Sequence, residues 1–202
     1  MTAEADVSSL SVLARLKAET RPQHDELDAA LDLTSGSITL DFYRQTLEGF
    51  YGFYRPLELG MRAVGGWDER GLDMQGRWKT PLLERDLRAL GVDDLAALPV
   101  CTDLPPHGSV GAAFGCLYVL EGSTLGGQLI NRSLQKTLAM TLDTGGCFFN
   151  GYGDRTGPMW QEFRVALEAF ALRSGEGDDV VAAARATFST LQTWMTAERP
   201  GA

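Results

Sequence analysis

At about 100° per residue, Lys17, Arg21, His24 and Asp28 project from one helical segment within a sector of about 60°. Leu13, Leu27 and Leu31 fill the adjoining sector, so a single imidazole stands where an apolar face meets a cationic edge. Farther along the chain, Gly111, Gly115, Tyr118, Gly122 and Gly126 share a sector of about 80° on a second helical segment. That face is nearly bare backbone. Each glycine inside a helix costs about 1 kcal/mol relative to alanine, and four surrender about 4 kcal/mol of a total stability of about 5–15 kcal/mol. Each stripe has two readings: a solvated charged edge or a ligand edge for the first, close helix packing or a ligand face for the second.

The ligand readings converge on one chemistry. A group that needs one imidazole, two cations a turn or two away and an apolar neighbour is haem, whose iron takes an axial nitrogen, whose ring is flat and apolar, and whose propionates are anionic. Asp28, one turn after His24, is placed to accept a hydrogen bond from the other ring nitrogen, or else to pair with a surface cation. His107 follows Pro105 and Pro106 in a loop and reads as a solvent residue, so a two-histidine metal cage lacks parts. A carboxylate-bridged di-iron site calls for Glu-x-x-His pairs, and the sequence has none. Cys116, inside the apolar run of the glycine-rich segment, reads as small packing rather than as a nucleophile. Glu121 points away from the glycines and reads as a surface or packing residue.

The elements that must carry these residues are helices. Apolar residues recur at helical spacing almost throughout, without alternating strands or Asn-Gly hairpins, which predicts an all-α, single-domain, irregular helical bundle over residues 1–202, with 1–9 and 199–202 as flexible tails. The first helix is expected to start between Ser8 and Ser11 and run to Leu31, kinked at Pro22, which lacks a backbone donor. A second, aromatic helix spans residues 41–64, with Pro56 as a bend point and Gly65-Gly66 as its end. Residues 67–79 read as a connection. Thr80-Pro81 opens a helix that reaches Leu90, and Ser109 opens the glycine-rich helix, which passes Leu134 with a weak point at Gly126-Gly127. Residues 145–157 read as irregular, Pro158 as the start of another helix, and 178–198 as the last.

Composition narrows the class. A chain of 202 residues with 44% hydrophobic content supports one core. Its net charge of −9 disfavours nucleic acid and anionic lipid as partners. The longest apolar stretch, 110–120, falls far short of the ~20 residues a membrane span needs. Cys101, Cys116 and Cys147 form no C-x-x-C pair, and residues 1–10 have neither a basic nor an apolar leader segment. The expectation is reduced thiols in a cytoplasmic protein.

Residues 13–28, LARLKAETRPQHDELD, resemble the proximal helix of the haem oxygenases, and residues 117–129, LYVLEGSTLGGQL, resemble their distal helix. G-x-x-x-G-G-Q in an apolar helix is the more specific of the two matches. Lys79-Thr80-Pro81-Leu82-Leu83 and Phe148-Phe149-Asn150-Gly151-Tyr152-Gly153 further resemble bacterial, biliverdin-producing members found beside phytochromes. The resemblance implies haem as both cofactor and substrate, O2, electrons from an external donor such as a ferredoxin or reductase, and biliverdin, carbon monoxide and ferrous iron as products, with a bacterial phytochrome as a biliverdin acceptor. It implies His24 as the iron ligand and Lys17 and Arg21 as propionate partners, with Asp28 and Tyr118 also against the haem. Gly122, Ser123 and Gly126 would then border the oxygen site. Ser123 stands where mammalian members carry an aspartate, and Asp28 where they carry a glutamate. A late propionate-binding arginine falls near Gln161 or Arg164. The same axial histidine and cationic stripe would also serve a haem carrier or sensor without turnover.

Overall fold

A computed structural model of the chain describes residues 11–197, which fold into helices without a strand among them. The segments 1–9 and 199–202, and with them Ser8 and Glu198, lie outside the described residues. In order the helices are α1 (Val12–Glu19), α2 (Arg21–Leu31), α3 (Leu40–Val64), α4 (Thr80–Ala89), α5 (Val110–Thr137), α6 (Cys147–Asn150), α7 (Thr156–Ser174) and α8 (Gly177–Thr196). Ser11, Thr39 and Ser109 each cap a helix by accepting the amide three residues on, at 3.3, 3.2 and 3.2 Å.

The first helix is broken rather than kinked. A bend at Thr20 separates α1 from α2, the Thr20 hydroxyl donates to the Leu16 carbonyl at 2.7 Å, and Pro22 occupies the first turn of α2, where its missing donor has no intrahelical partner to lose. Pro56, by contrast, lies inside an uninterrupted α3. The Gly52 carbonyl that its absent N–H would have bonded accepts instead from the Cys101 amide at 2.9 Å. A Cβ on Gly52 would collide with the Pro99 carbonyl and the Trp194 ring, so the glycine is what lets that loop come close.

Three stretches expected to be loose are built more firmly. Residues 67–79 include a short 3-10 turn (Asp68–Arg70) and bury Trp67, Leu72, Met74, Arg77 and Lys79. Residues 145–157 contain α6, whose first amides, Cys147 and Phe148, donate to the fully buried Asp86 carboxylate at 2.9 and 2.7 Å. Burial pushes that carboxyl up and the two donors pull it back. His107 is half-buried, its Nδ1 2.7 Å from the Pro105 carbonyl, and its ring fills the space a Cβ on Gly60 would need.

The core is one cluster built on Tyr43, Phe53, Tyr54, Leu57, Phe114 and Phe163. Helix α8 lies against α1, α2 and α5, and so holds the histidine-bearing and the glycine-bearing helices on a common support. Among the described residues no helix is long and apolar enough to cross a membrane.

Candidate functional site

Between α2 and the middle of α5 lies a cavity of about 870 Å³, within the range of small-molecule and cofactor sites. Eight of the residues singled out from the sequence line it: Lys17, Arg21, His24 and Asp28 on one side, and Tyr118, Gly122, Ser123 and Gly126 on the other, whereas Gly111 and Gly115 of the same glycine stripe do not. Phe50, Tyr54, Phe148, Phe149, Phe188 and Leu191 add apolar surface around them.

The break at Thr20 does not disperse the first stripe, because Lys17 at the end of α1 and Arg21 at the start of α2 still face the cavity. His24 is half-exposed at 53%, its ring edge-on to Phe188 with centroids 5.8 Å apart. Its Nδ1 lies 3.3 Å from Asp28 Oδ2 and 3.7 Å from Asp25 Oδ1. Asp25 also accepts from Arg21 Nε at 3.2 Å, so that carboxylate links the imidazole to the guanidinium. Both Asp25 and Arg21 are exposed, and such a pair is worth little in stability. Between the two sequence candidates for a late cation, it is Arg164 that lines the cavity, while Gln161 accepts from it at 3.3 Å.

The glycine stripe divides into two parts. A Cβ on Gly115 would strike the Val180 carbonyl and stand 2.8 Å from the Ala183 Cβ, and one on Gly111 would meet Glu176 Oε2 at 2.8 Å, so these two exist for the close approach of α8. Toward the C-terminus the purpose changes. A Cβ on Gly126 meets nothing within 4 Å, and one on Gly122 meets only the Trp160 ring at 3.8 Å. Those two glycines face the cavity, and no packing demand explains them. The other member of the pair, Gly127, packs on the Phe149 carbonyl, 3.0 Å from where its Cβ would be, and α5 runs unbroken through both.

Two residues at the wall were given no role from the sequence. The Tyr54 hydroxyl lies 3.3 Å from Ser123 Oγ, whose own hydrogen goes to the Leu120 carbonyl at 2.8 Å, so Tyr54 is the donor of that pair. Burial holds the Tyr54 hydroxyl well above its ordinary range and keeps it protonated. Nothing in sequence separates Tyr54 from the other aromatics of α3. Lys79 also lines the cavity while being only 2% exposed, and desolvation pulls its ammonium down to about 8 against the opposing pull of Glu121 and Glu58.

Glu121 is not a surface residue. It is 1% exposed and paired with the fully buried Arg77 at 2.7 Å, because only a long-range partner can offset the burial of a carboxylate. Tyr118 is half-buried, with its ring 5.8 Å from Trp160 and its hydroxyl beside Thr20. Cys116 is fully buried, hydrogen-bonded by Thr187 at 3.3 Å and pushed up to about 11 by burial, which is the state of a packed thiol.

The chain is similar to known proteins over most of its length. Residues 10–197 match the family model described as Heme oxygenase. A heme oxygenase of Xanthomonas campestris pv. campestris is 33% identical, with 82% of this chain and 96% of that protein covered. Among solved structures, the heme oxygenase of Neisseria meningitidis aligns over 93% of this chain and 91% of its own, with a TM-score of 0.78 and 23% identity. The heme oxygenase of Leptospira interrogans aligns over 93% and 99%, with a TM-score of 0.75 and 17% identity. These two structural likenesses establish the fold, and the family model together with the Xanthomonas relative establishes the kinship: the chain belongs to the haem oxygenase family.

Proposed function

We propose that this protein is a single-domain enzyme that binds one haem in the cavity between α2 and α5 and cleaves it to biliverdin, carbon monoxide and ferrous iron. The observation that carries the reading is the divided glycine stripe. Gly122 and Gly126 forgo helix stability on the one stretch of α5 that faces His24 across an apolar cavity, and a flat ring seated there explains both glycines. The donor set fits as well. One imidazole suits iron, apolar walls suit the ring, and Lys17, Arg21 and Arg164 at the lining suit two carboxylates.

When bound, haem is the substrate and supplies its own iron for O2 activation, with electrons from a separate donor such as a ferredoxin or a reductase. The remaining work falls to the chain. His24 would hold the iron through Nε2, since Nδ1 faces the Asp28 and Asp25 carboxylates, which orient the ring. As an iron ligand, an imidazole would donate less electron density than a thiolate. Gly122 and Gly126 keep side chains out of the oxygen-binding space, and Tyr118 and Trp160 wall its edge. The Tyr54 hydroxyl donates to Ser123 Oγ, and together the two hydroxyls can hold water at the site without a strong acid there.

The unpaired cysteines favour a cytoplasmic enzyme, the family resemblance favours cleavage at the α position, and the bacterial motifs favour delivery of the biliverdin to a phytochrome. A haem titration tests the reading. It should saturate at one equivalent, and His24→Ala should change the haem spectrum and weaken binding. Addition of reductant and air should then convert the haem. Haem that binds but survives turnover conditions would make the protein a carrier or sensor instead.

A further inference from the structure

Beside the cavity wall, on a flank of α5 about 100° round from its glycines, one buried carboxylate anchors a polar cluster drawn from four other pieces of chain. Glu121 Oε2 accepts from Arg77 at 2.7 Å, its Oε1 accepts from the Tyr152 hydroxyl, and Lys79 Nζ stands 3.6 Å away. Lys79 donates to the Tyr152 hydroxyl at 2.5 Å and to the Arg77 carbonyl at 2.7 Å. Arg77 reaches on to the Met159 carbonyl of α7 at 3.1 Å and to Glu162 at 2.9 Å. From α3, Glu58 accepts from the Lys79 and Thr80 amides at 2.6 and 3.1 Å.

Stability does not account for this cluster. Buried ion pairs exchanged for apolar side chains of similar volume are often neutral or stabilising. Its location is what distinguishes it. Glu121 is joined in sequence to Gly122, and the N-terminal half of α5 is already held by close packing of Gly115 on α8. The cavity half is fastened through a longer set of polar contacts. Besides Glu121, Gln128 donates to the Asn150 carbonyl at 2.8 Å and Asn131 to the Asn150 side chain at 3.3 Å. Apolar packing tolerates sliding by fractions of an ångström, whereas hydrogen bonds to a buried carboxylate fix distance and direction.

Resting on the haem-cleaving reading above, we infer that Glu121, Arg77, Lys79 and Tyr152 are positioning residues, a buried polar latch that holds the Gly122 and Gly126 wall at the distance from His24 that the reaction requires. Of the four, Lys79 alone reaches the cavity lining, and the latch acts through the placement of Gly122 rather than on the reacting atoms. Tyr152 is its least disruptive point of attack, because Tyr152→Phe removes one hydroxyl and leaves the ring against Lys79, whose Nζ lies 3.8 Å from the ring centre.

The test compares wild type, Tyr152→Phe and the paired Arg77→Met/Glu121→Leu, which replaces the central ion pair by apolar volume. Each is loaded with haem, reduced under carbon monoxide, and read by the C–O stretching band, which senses the groups facing the ligand. Single-turnover conversion is measured alongside. The inference expects both variants to take up one haem, to show a shifted or broadened C–O band, and to convert haem roughly tenfold more slowly or worse, as small misplacements near chemistry do. Should the paired variant fail to fold, Tyr152→Phe carries the comparison by itself. A wild type that takes up no haem overturns the haem-cleaving reading and this inference with it. A wild type that cleaves haem, beside folded variants with its C–O band and its rate, overturns the latch alone.

Discussion

Alanine at Gly115 and at Gly126 should have opposite consequences, although both glycines lie on the same face of the same helix. At Gly126 the new methyl meets nothing within 4 Å, so the haem-free protein keeps the full gain in helix propensity, about 1 kcal/mol. For a protein of this size that raises Tm by about 2–4 °C. At Gly115 the same gain is opposed by collision with the Val180 carbonyl and with Ala183 and Ala184, where the Cβ would stand 2.8 and 2.9 Å away. Overpacking of that kind costs about 1–3 kcal/mol and cannot be relieved by a side-chain rotation when backbone is the obstacle, so Gly115→Ala should melt lower than wild type. Activity should order the other way. Gly126→Ala and, more severely, Gly122→Leu intrude on the cavity and should slow single-turnover haem conversion, whereas Gly115→Ala should convert normally at temperatures where it is folded. The assay pairs thermal unfolding of the haem-free protein with single-turnover absorbance of the loaded one. A Gly126→Ala protein that is stabilised and still converts haem at the wild-type rate would refute the claim that this half of the stripe exists for the ligand.

Three further outcomes follow from the same structure. Lys17→Ala/Arg21→Ala, and separately Arg164→Ala, should loosen haem and alter the biliverdin isomer ratio more than they alter stability, since these cations are exposed; chromatography of the product isomers and a haem titration check this. Asp86→Ala should cost about 2–5 kcal/mol in denaturant unfolding, because it leaves the buried Cys147 and Phe148 amides without an acceptor. Lys79 gives a pH signature. Its folded value near 8 lies below the ordinary 10.5, so from about pH 8 upward the unfolded chain binds more protons than the folded one and this residue's contribution to stability rises with pH. Buried Cys116 and Cys147, both held up at about 11, act in the opposite sense, so the term is isolated as wild type minus Lys79→Met, a difference that should grow between pH 8 and 10.

What the sequence discloses depends on whether the cause is local. The caps at Ser11, Thr39 and Ser109 act within three residues, and the helices they start are legible from spacing alone. The stripe of Lys17, Arg21, His24 and Asp28 survives a helix break because its members are close enough in sequence to stay on one side of it. The division of the glycine stripe is invisible without α8, since Gly115 and Gly126 differ only in what stands opposite them. Glu121 and Arg77 are 44 residues apart, so the burial of either is improbable until the other is known. The same holds for Asp86 and Glu58, whose carboxylates cap helices to which they do not belong. Tyr54 hides because a buried aromatic helix offers many equivalent rings and only the fold selects the one that reaches Ser123.

The central claim is that the cavity between His24 and the bare glycines is built to open haem, and product stoichiometry from one turnover tests it most directly. Protein loaded with one equivalent of haem without oxygen, then given reductant and O2, should release one carbon monoxide and one biliverdin per haem as the haem absorption disappears. His24→Ala under the same conditions should yield neither in stoichiometric amount. Persistence of the haem spectrum in the wild type, with no carbon monoxide released, would contradict the account.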